Sequence, residues 1–255
     1  MPGQVGLTID GALARVSLCH PGKFNAMSRA MWLELRAIFL ALQAREDLRC
    51  VIVAGDAGHF CAGGDISEYP AFRFEEAALR DFHETDVWGG LGAMLACDLP
   101  VVAQIEGNCL GAGLEIASCC DIRVAGEGAR FGAPIARLGF PMAPREAQLV
   151  AREAGAATAR EVLLEAAVLG AQEMKARGFL HAVLPDAGVA ADALVRAQRI
   201  VALAPRAARL NKQTLRALST GVSIESVVDR AYHYADHAEH REGVEAFVAR
   251  RRPAF

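Results

Sequence analysis

Two short apolar runs, residues 49–55 (RCVIVAG) and 101–106 (VVAQIE), constrain this chain most, because each is followed by a glycine-rich loop. An apolar run without polar alternation fits a strand buried on both faces, the habit of a parallel sheet. The loops span 60–67 (FCAGGDIS) and 107–115 (GNCLGAGLE). Glycine permits tight turns and lets a ligand approach the main chain. Both strand-to-loop junctions therefore qualify as places where backbone N–H groups face a ligand.

The rest of the chain supplies elements around these runs. Val5, Leu7 and Ile9 precede Asp10-Gly11, and Leu13, Val16 and Leu18 follow, which predicts a hairpin with a type I′ turn. Ser28 is a plausible N-cap for a helix carrying Met31, Leu35, Ile38, Phe39 and Leu42 at helical spacing. A helix is expected over 75–96, ended by Pro100, and another from Leu114 to Cys119. Short strands are expected near 121–124 and 129–131. From Ala143 onward the pattern is mostly helical, broken at Gly155, Gly170, Gly178, Pro185 and Pro205. Strands and helices that alternate early and give way to helices predict an α/β core over 1–200 with a helical region over 201–255.

Composition narrows the class. The 255 residues carry 27 basic and 30 acidic side chains, a formal net charge of −3, and 53% are hydrophobic. That is a folding chain with no basic field for nucleic acid. No apolar run reaches the roughly 18 residues of a membrane span, and the N-terminus has no signal-peptide pattern. Seven cysteines, an odd number and with no C-x-x-C pair, read as buried reduced thiols, so a cytoplasmic location is expected.

The loops point to chemistry by their donors. A helix starting near Gly111 aims its free N–H groups and positive dipole end into the space beside it. Two N–H donors converging on one oxygen make an oxyanion hole, and Glu115 lies about one turn along that helix. Plain tight packing fits the same glycines. A P-loop, a complete dinucleotide fingerprint and a G-x-S-x-G elbow are all absent from the sequence.

The motif FCAGGDI at 60–66 resembles the F-x-A-G-x-D-[IL] motif of the enoyl-CoA hydratase/isomerase (crotonase) family. Residues 107–121 are similar to its G-x-x-x-G-G-G-x-E-L-x-x-x-x-D stretch. HPGKFNAM at 20–27, AQEMKARG at 171–178 and the ending FVARRRPAF at 247–255 extend the similarity over nearly the whole chain. The resemblance implies an α/β spiral of ββα units with a helical C-terminal trimerisation region. The protein would be a trimer or a dimer of trimers acting on an acyl-CoA thioester, with no cofactor beyond the coenzyme A of its substrate. It also implies that the N–H groups of Gly64 and Ala112 hold the thioester oxygen while Glu115 serves as acid/base. Lys23, Ala62, Asp65, Ile66, Ile135, Phe247 and Arg250 become candidate contacts to substrate or CoA.

One departure falls at the chemistry. The second glutamate of the family's hydratases maps onto Ile135, which cannot move a proton, and the loop FPMAPRE (140–146) replaces a glycine-rich run. Glu146 is a conceivable substitute, although after Pro144 it fits the first turn of a helix. A hydratase with one carboxylate, a double-bond isomerase and a catalytically weak acyl-CoA binder all stay open. His233, His237 and His240 have the spacing of a metal face on one helix, against the plainer reading of solvated or contact residues. No metal is expected.

Overall fold

The computed structural model describes residues 1–229 and 231–255. Its strands are β1 (Gln4–Asp10), β2 (Leu13–Cys19), β3 (Cys50–Gly55), β4 (Val101–Ile105), β5 (Asn108–Leu110), β6 (Ile122–Gly126), β7 (Arg130–Gly132), β8 (Val168–Gly170) and β9 (Ala182–Leu184). The helices are α1 (Arg29–Gln43), α2 (Glu76–Asp81), α3 (Trp88–Ala96), α4 (Ala112–Ser118), α5 (Pro144–Ala154), α6 (Ala156–Leu164), α7 (Ala171–Ala176), α8 (Val189–Val201), α9 (Pro205–Ser219), α10 (Ile224–Val228) and α11 (Ala238–Val248).

A six-stranded sheet runs in the order β1-β2-β3-β4-β6-β9, and a three-stranded one in the order β5-β7-β8. Only β1 and β2 are antiparallel in the large sheet. The chain alternates between the sheets: β4 and β6 enter the large one, and β5 and β7, which follow them, enter the small one. Cys61 bridges Cys109 of β5, so the first glycine loop runs beside the small sheet as well. This crossing brings the two loops together.

β3 and β4 are buried on both faces, as their unbroken apolar character requires. Val51, Val53, Val101 and Ala103 join the main core with Trp32, Leu35 and Phe39 of α1. Cys50, Ile52 and Val102 point the other way, onto Val189, Ala193 and Ala197 of α8. The α1 start is capped as expected, with the Ser28 side chain accepting from the Met31 N–H at 3.3 Å.

Four local expectations change. In the hairpin Asp10 pairs with Leu13, so the central residues are Gly11 and Ala12, and only Gly11 has positive φ (55°). That is the pattern of a type II′ turn, with glycine first, in place of type I′. The helix expected over 75–96 contains a π-helical stretch at Phe82–Val87 between α2 and α3. β8 and β9, three residues each, lie in the part read as helical, because strands so short leave no periodicity. His233, His237 and His240 share no helix face: His237 is the N-cap of α11 and His233 precedes it.

The C-terminal region is tied to the core by cations on carbonyl oxygens. The Lys212 ammonium on α9 donates to Leu99 O (2.8 Å) and to Asp121 (2.7 Å). Arg209 reaches Arg45 O and Leu48 O, and Arg216 pairs with Asp98 at 2.8 Å. No helix among the described residues is long and apolar enough to cross a membrane.

Candidate functional site

The glycine loops meet through their backbones. Cys61 N donates to Asn108 O and Leu110 N to Cys61 O, at 2.8 and 2.9 Å, locking one loop beside the other. Gly111 has φ of 49°, a left-handed value that favours glycine, and lies against Gly63, where the loops touch. A Cβ on Gly64 would sit 2.1 Å from the Tyr69 hydroxyl, so a side chain there would have to displace that ring from the cavity wall.

Between the loops lies a cavity of about 140 Å³ whose walls include Ala62, Gly64, Ile66, Ala112, Glu115 and Ile135. Six sequence-derived candidates therefore share one space. Among the described residues, neither the Gly64 N–H nor the Ala112 N–H has an acceptor within the protein. For Ala112 the cause is positional, since the first N–H groups of a helix have no intrahelical partner. The volume falls below the roughly 300–1,000 Å³ of a drug-sized ligand site, so it has room for a small group and not for a nucleotide.

Glu115 is the buried acid of this space. Burial, with the Glu146 charge adding to it, pushes its carboxyl from 4.5 up to about 8. Glu146 is itself only 2% exposed and lies 3.1 Å from the Nδ1 of His83, which reaches the cavity wall from the π-helical stretch. Glu146 does begin α5 after Pro144, as the sequence suggests, yet it is buried and acts on Glu115. Sequence gave no sign of that burial, because a first-turn glutamate is ordinarily solvated.

Four candidates are placed elsewhere. Asp65 caps the 3₁₀ turn at Ile66–Ala71, and its carboxylate accepts from the Lys23 ammonium at 2.6 Å and from Ser67. Burial alone would raise its pKa, but those bonds outweigh it and hold the carboxyl below its ordinary value. Lys23 is spent on the same group and on Ser67. Phe247 is 86% exposed on α11, and Arg250 follows that helix with φ of 54°; neither borders the cavity. A second, larger groove of about 1,070 Å³ opens between α9 and the C-terminal helices, away from the loops, and His233, His237 and His240 border it. Among the described residues no cluster of His, Cys, Asp and Glu has the arrangement of a metal site.

The cavity also has walls that sequence reading missed: Trp32, Tyr69, Arg73, Phe82 and Phe140. Burial pushes the Tyr69 phenol up to about 12. The neighbouring Cys61 thiol is likewise pushed up to about 12, which makes it inert.

The family model described as enoyl-CoA hydratase/isomerase matches residues 8–255. The chain belongs to the enoyl-CoA hydratase/isomerase family. A probable enoyl-CoA hydratase of Mycobacterium tuberculosis is 29% identical over 249 residues, 96% of this chain and 95% of that protein. The 2,3-dehydroadipyl-CoA hydratase of Escherichia coli is 30% identical over 245 residues, 94% of this chain and 93% of its own length. A crystal structure of an enoyl-CoA hydratase/carnithine racemase from Magnetospirillum magneticum superposes with a TM-score of 0.94 at 35% identity, covering 98% of this chain and 94% of that one. The fold is the mixed α/β crotonase architecture with a helical C-terminal region. Ile135 lies on the cavity wall.

Proposed function

We propose that this chain is an acyl-CoA enzyme of the hydratase type, using Glu115 as its acid/base and the Gly64 and Ala112 N–H groups as an oxyanion hole. One observation carries the reading: two N–H groups without acceptors and a buried carboxyl border the same small cavity. In the forward direction the Glu115 carboxylate takes a proton from water, and the water oxygen bonds to the β-carbon of a 2-enoyl thioester. The double-bond electrons move to the thioester oxygen, where the two N–H groups hold the charge. The enolate then collapses, and its α-carbon takes the proton back from Glu115. Water has been added across the double bond, and the carboxylate is restored.

Main-chain donors already fixed in place need little reorganisation, and removing one typically costs about 10²–10³ in rate. A positioned acid/base contributes about 10²–10⁴. With its pKa near 8, roughly a tenth of Glu115 is carboxylate at neutral pH, a modest loss against its greater basicity. Ile135 favours a second reading from the same intermediate, in which Glu115 moves a proton between carbons and shifts the double bond. Exposed apolar side chains in the C-terminal region, among them Leu215, Ile224, Val244 and Phe247, support assembly as a homotrimer or a pair of trimers.

Turnover of crotonyl-CoA and of 2-hexenoyl-CoA, followed by loss of the conjugated chromophore, tests the proposal, with product analysis separating hydration from isomerisation. Glu115→Gln is expected to lower the rate by about 10²–10⁴. Equal trace rates in the wild type and the variant would leave only an acyl-CoA binder.

A further inference from the structure

Arg73 has no carboxylate partner among the described residues. Its guanidinium carbon lies 3.7 Å from the centre of the Phe140 ring and 4.6 Å from that of Tyr69, and all three side chains border the cavity that holds Glu115. Aromatic contacts of this kind satisfy the faces of the guanidinium. They leave its in-plane N–H donors needing acceptors. The Nη1 of Arg73 is buried with no hydrogen-bond partner, the one such side-chain nitrogen or oxygen among the described residues. A buried donor left unmade is expensive, and a charged one more so.

Nothing nearby consumes this cation. Glu115, the carboxyl on the same cavity, has its pKa raised by burial and by Glu146 and is not drawn down by an arginine. Burial instead lowers the Arg73 pKa, as for a cation short of solvent and of counter-charge. A neutral alkyl chain filling the cavity would offer the Nη1 donors no acceptor and leave the deficit standing.

We infer that the acyl pocket takes a thioester whose acyl chain carries its own carboxylate, held by the Arg73 guanidinium between Tyr69 and Phe140. The inference rests on the acyl-CoA reading above and names the substrate class within it: ω-carboxyacyl-CoA thioesters. The planar fork of arginine matches the two oxygens of a carboxylate, and the flanking rings fix its plane.

Calorimetric titration with saturated thioesters tests this without turnover. Malonyl-, succinyl-, glutaryl- and adipyl-CoA are compared with propionyl-, butyryl- and hexanoyl-CoA, and with free CoA. At one chain length at least, the wild type is expected to bind the carboxylated ester about 10- to 100-fold more tightly than the neutral ester of similar length. Arg73→Gln should abolish that ratio, and Arg73→Lys should keep part of it. Neutral esters bound as tightly as carboxylated ones by the wild type would overturn the inference and leave the acyl-CoA reading standing. A ratio that survives in Arg73→Gln would also overturn it, as would an equal loss of affinity for free CoA, which would place Arg73 on the CoA phosphates. Binding of no thioester at all would overturn both readings.

Discussion

The raised pKa of Glu115 makes a stability prediction independent of any substrate. A carboxyl moved from 4.5 to about 8 on folding binds a proton more tightly in the native state than in the unfolded chain. Between those two values the native state holds the extra proton, so stability falls as pH rises. At 1.36 kcal/mol per pH unit the full penalty is roughly 5 kcal/mol, nearly all of it present at pH 9 and only about 1 kcal/mol at pH 5. Glu115→Gln removes the titration and keeps the shape. Any packing or hydrogen-bond change made by the amide acts at both pH values and cancels in the comparison, as do the titrating groups that do not interact with Glu115. Urea denaturation of both proteins, at pH 5 and pH 9 and one protein concentration, gives the difference. Glutamine should gain on the wild type by about 4 kcal/mol between the two pH values, or about 2 kcal/mol if water enters around the carboxylate. A difference that stays flat, or that moves the other way, would refute the claim that Glu115 is desolvated.

The same ionisation governs turnover if the carboxylate is the reacting form: log kcat/KM for crotonyl-CoA should rise with unit slope up to about pH 8 and then level off. Glu146→Gln should move that inflection to lower pH, while burial keeps it above 4.5. Ile135→Glu places a second carboxylate on the cavity wall and should raise hydration by up to about 10²-fold; no gain would show that the position does not serve the chemistry. Lys212→Met leaves Leu99 O and Asp121 without their cation and should cost about 2–3 kcal/mol in urea denaturation.

What sequence could reveal here follows from how each feature is encoded. β3 and β4 were legible because burial on both faces forces an unbroken apolar run, and α1 because a helix buried on one side repeats every three to four residues. The two loops were legible because the positive φ at 111 and the close approach of the Cys61 carbonyl at 113 both favour glycine. Glu115, Ala112 and Ile135 followed by motif. Arg73, Tyr69 and Phe140 carry no such mark: they come from a 3₁₀ turn, the turn just after it and the loop before α5, and only the tertiary fold sets them face to face. Glu146 was visible as a first-turn residue, but its burial depends on the π-helical stretch that presents His83 to it.

The charges around the cavity form a pattern that a merely packed core would not retain. Apolar residues of similar volume could replace a buried ionisable group at little loss or with a gain in stability, and here two buried acids and a half-buried arginine stay unneutralised by one another. Glu115 meets its isolation by holding a proton into the neutral range. Glu146 keeps a hydrogen-bond partner in His83, and its charge reinforces the protonation of Glu115. Arg73 is held by aromatic faces instead of by either acid, which leaves an acid without a base and a cation without an anion in one small space. A ligand that takes up a proton at one end and brings a negative charge at the other would complete both deficits together. That requirement ties the identity of the acyl chain to the protonation of Glu115: binding a carboxylated thioester should raise the pH at which Glu115 ionises, because a new negative charge enters its cavity. A pH inflection in kcat that lies above the one in kcat/KM for carboxylated substrates, and not for neutral ones, is the signature to measure.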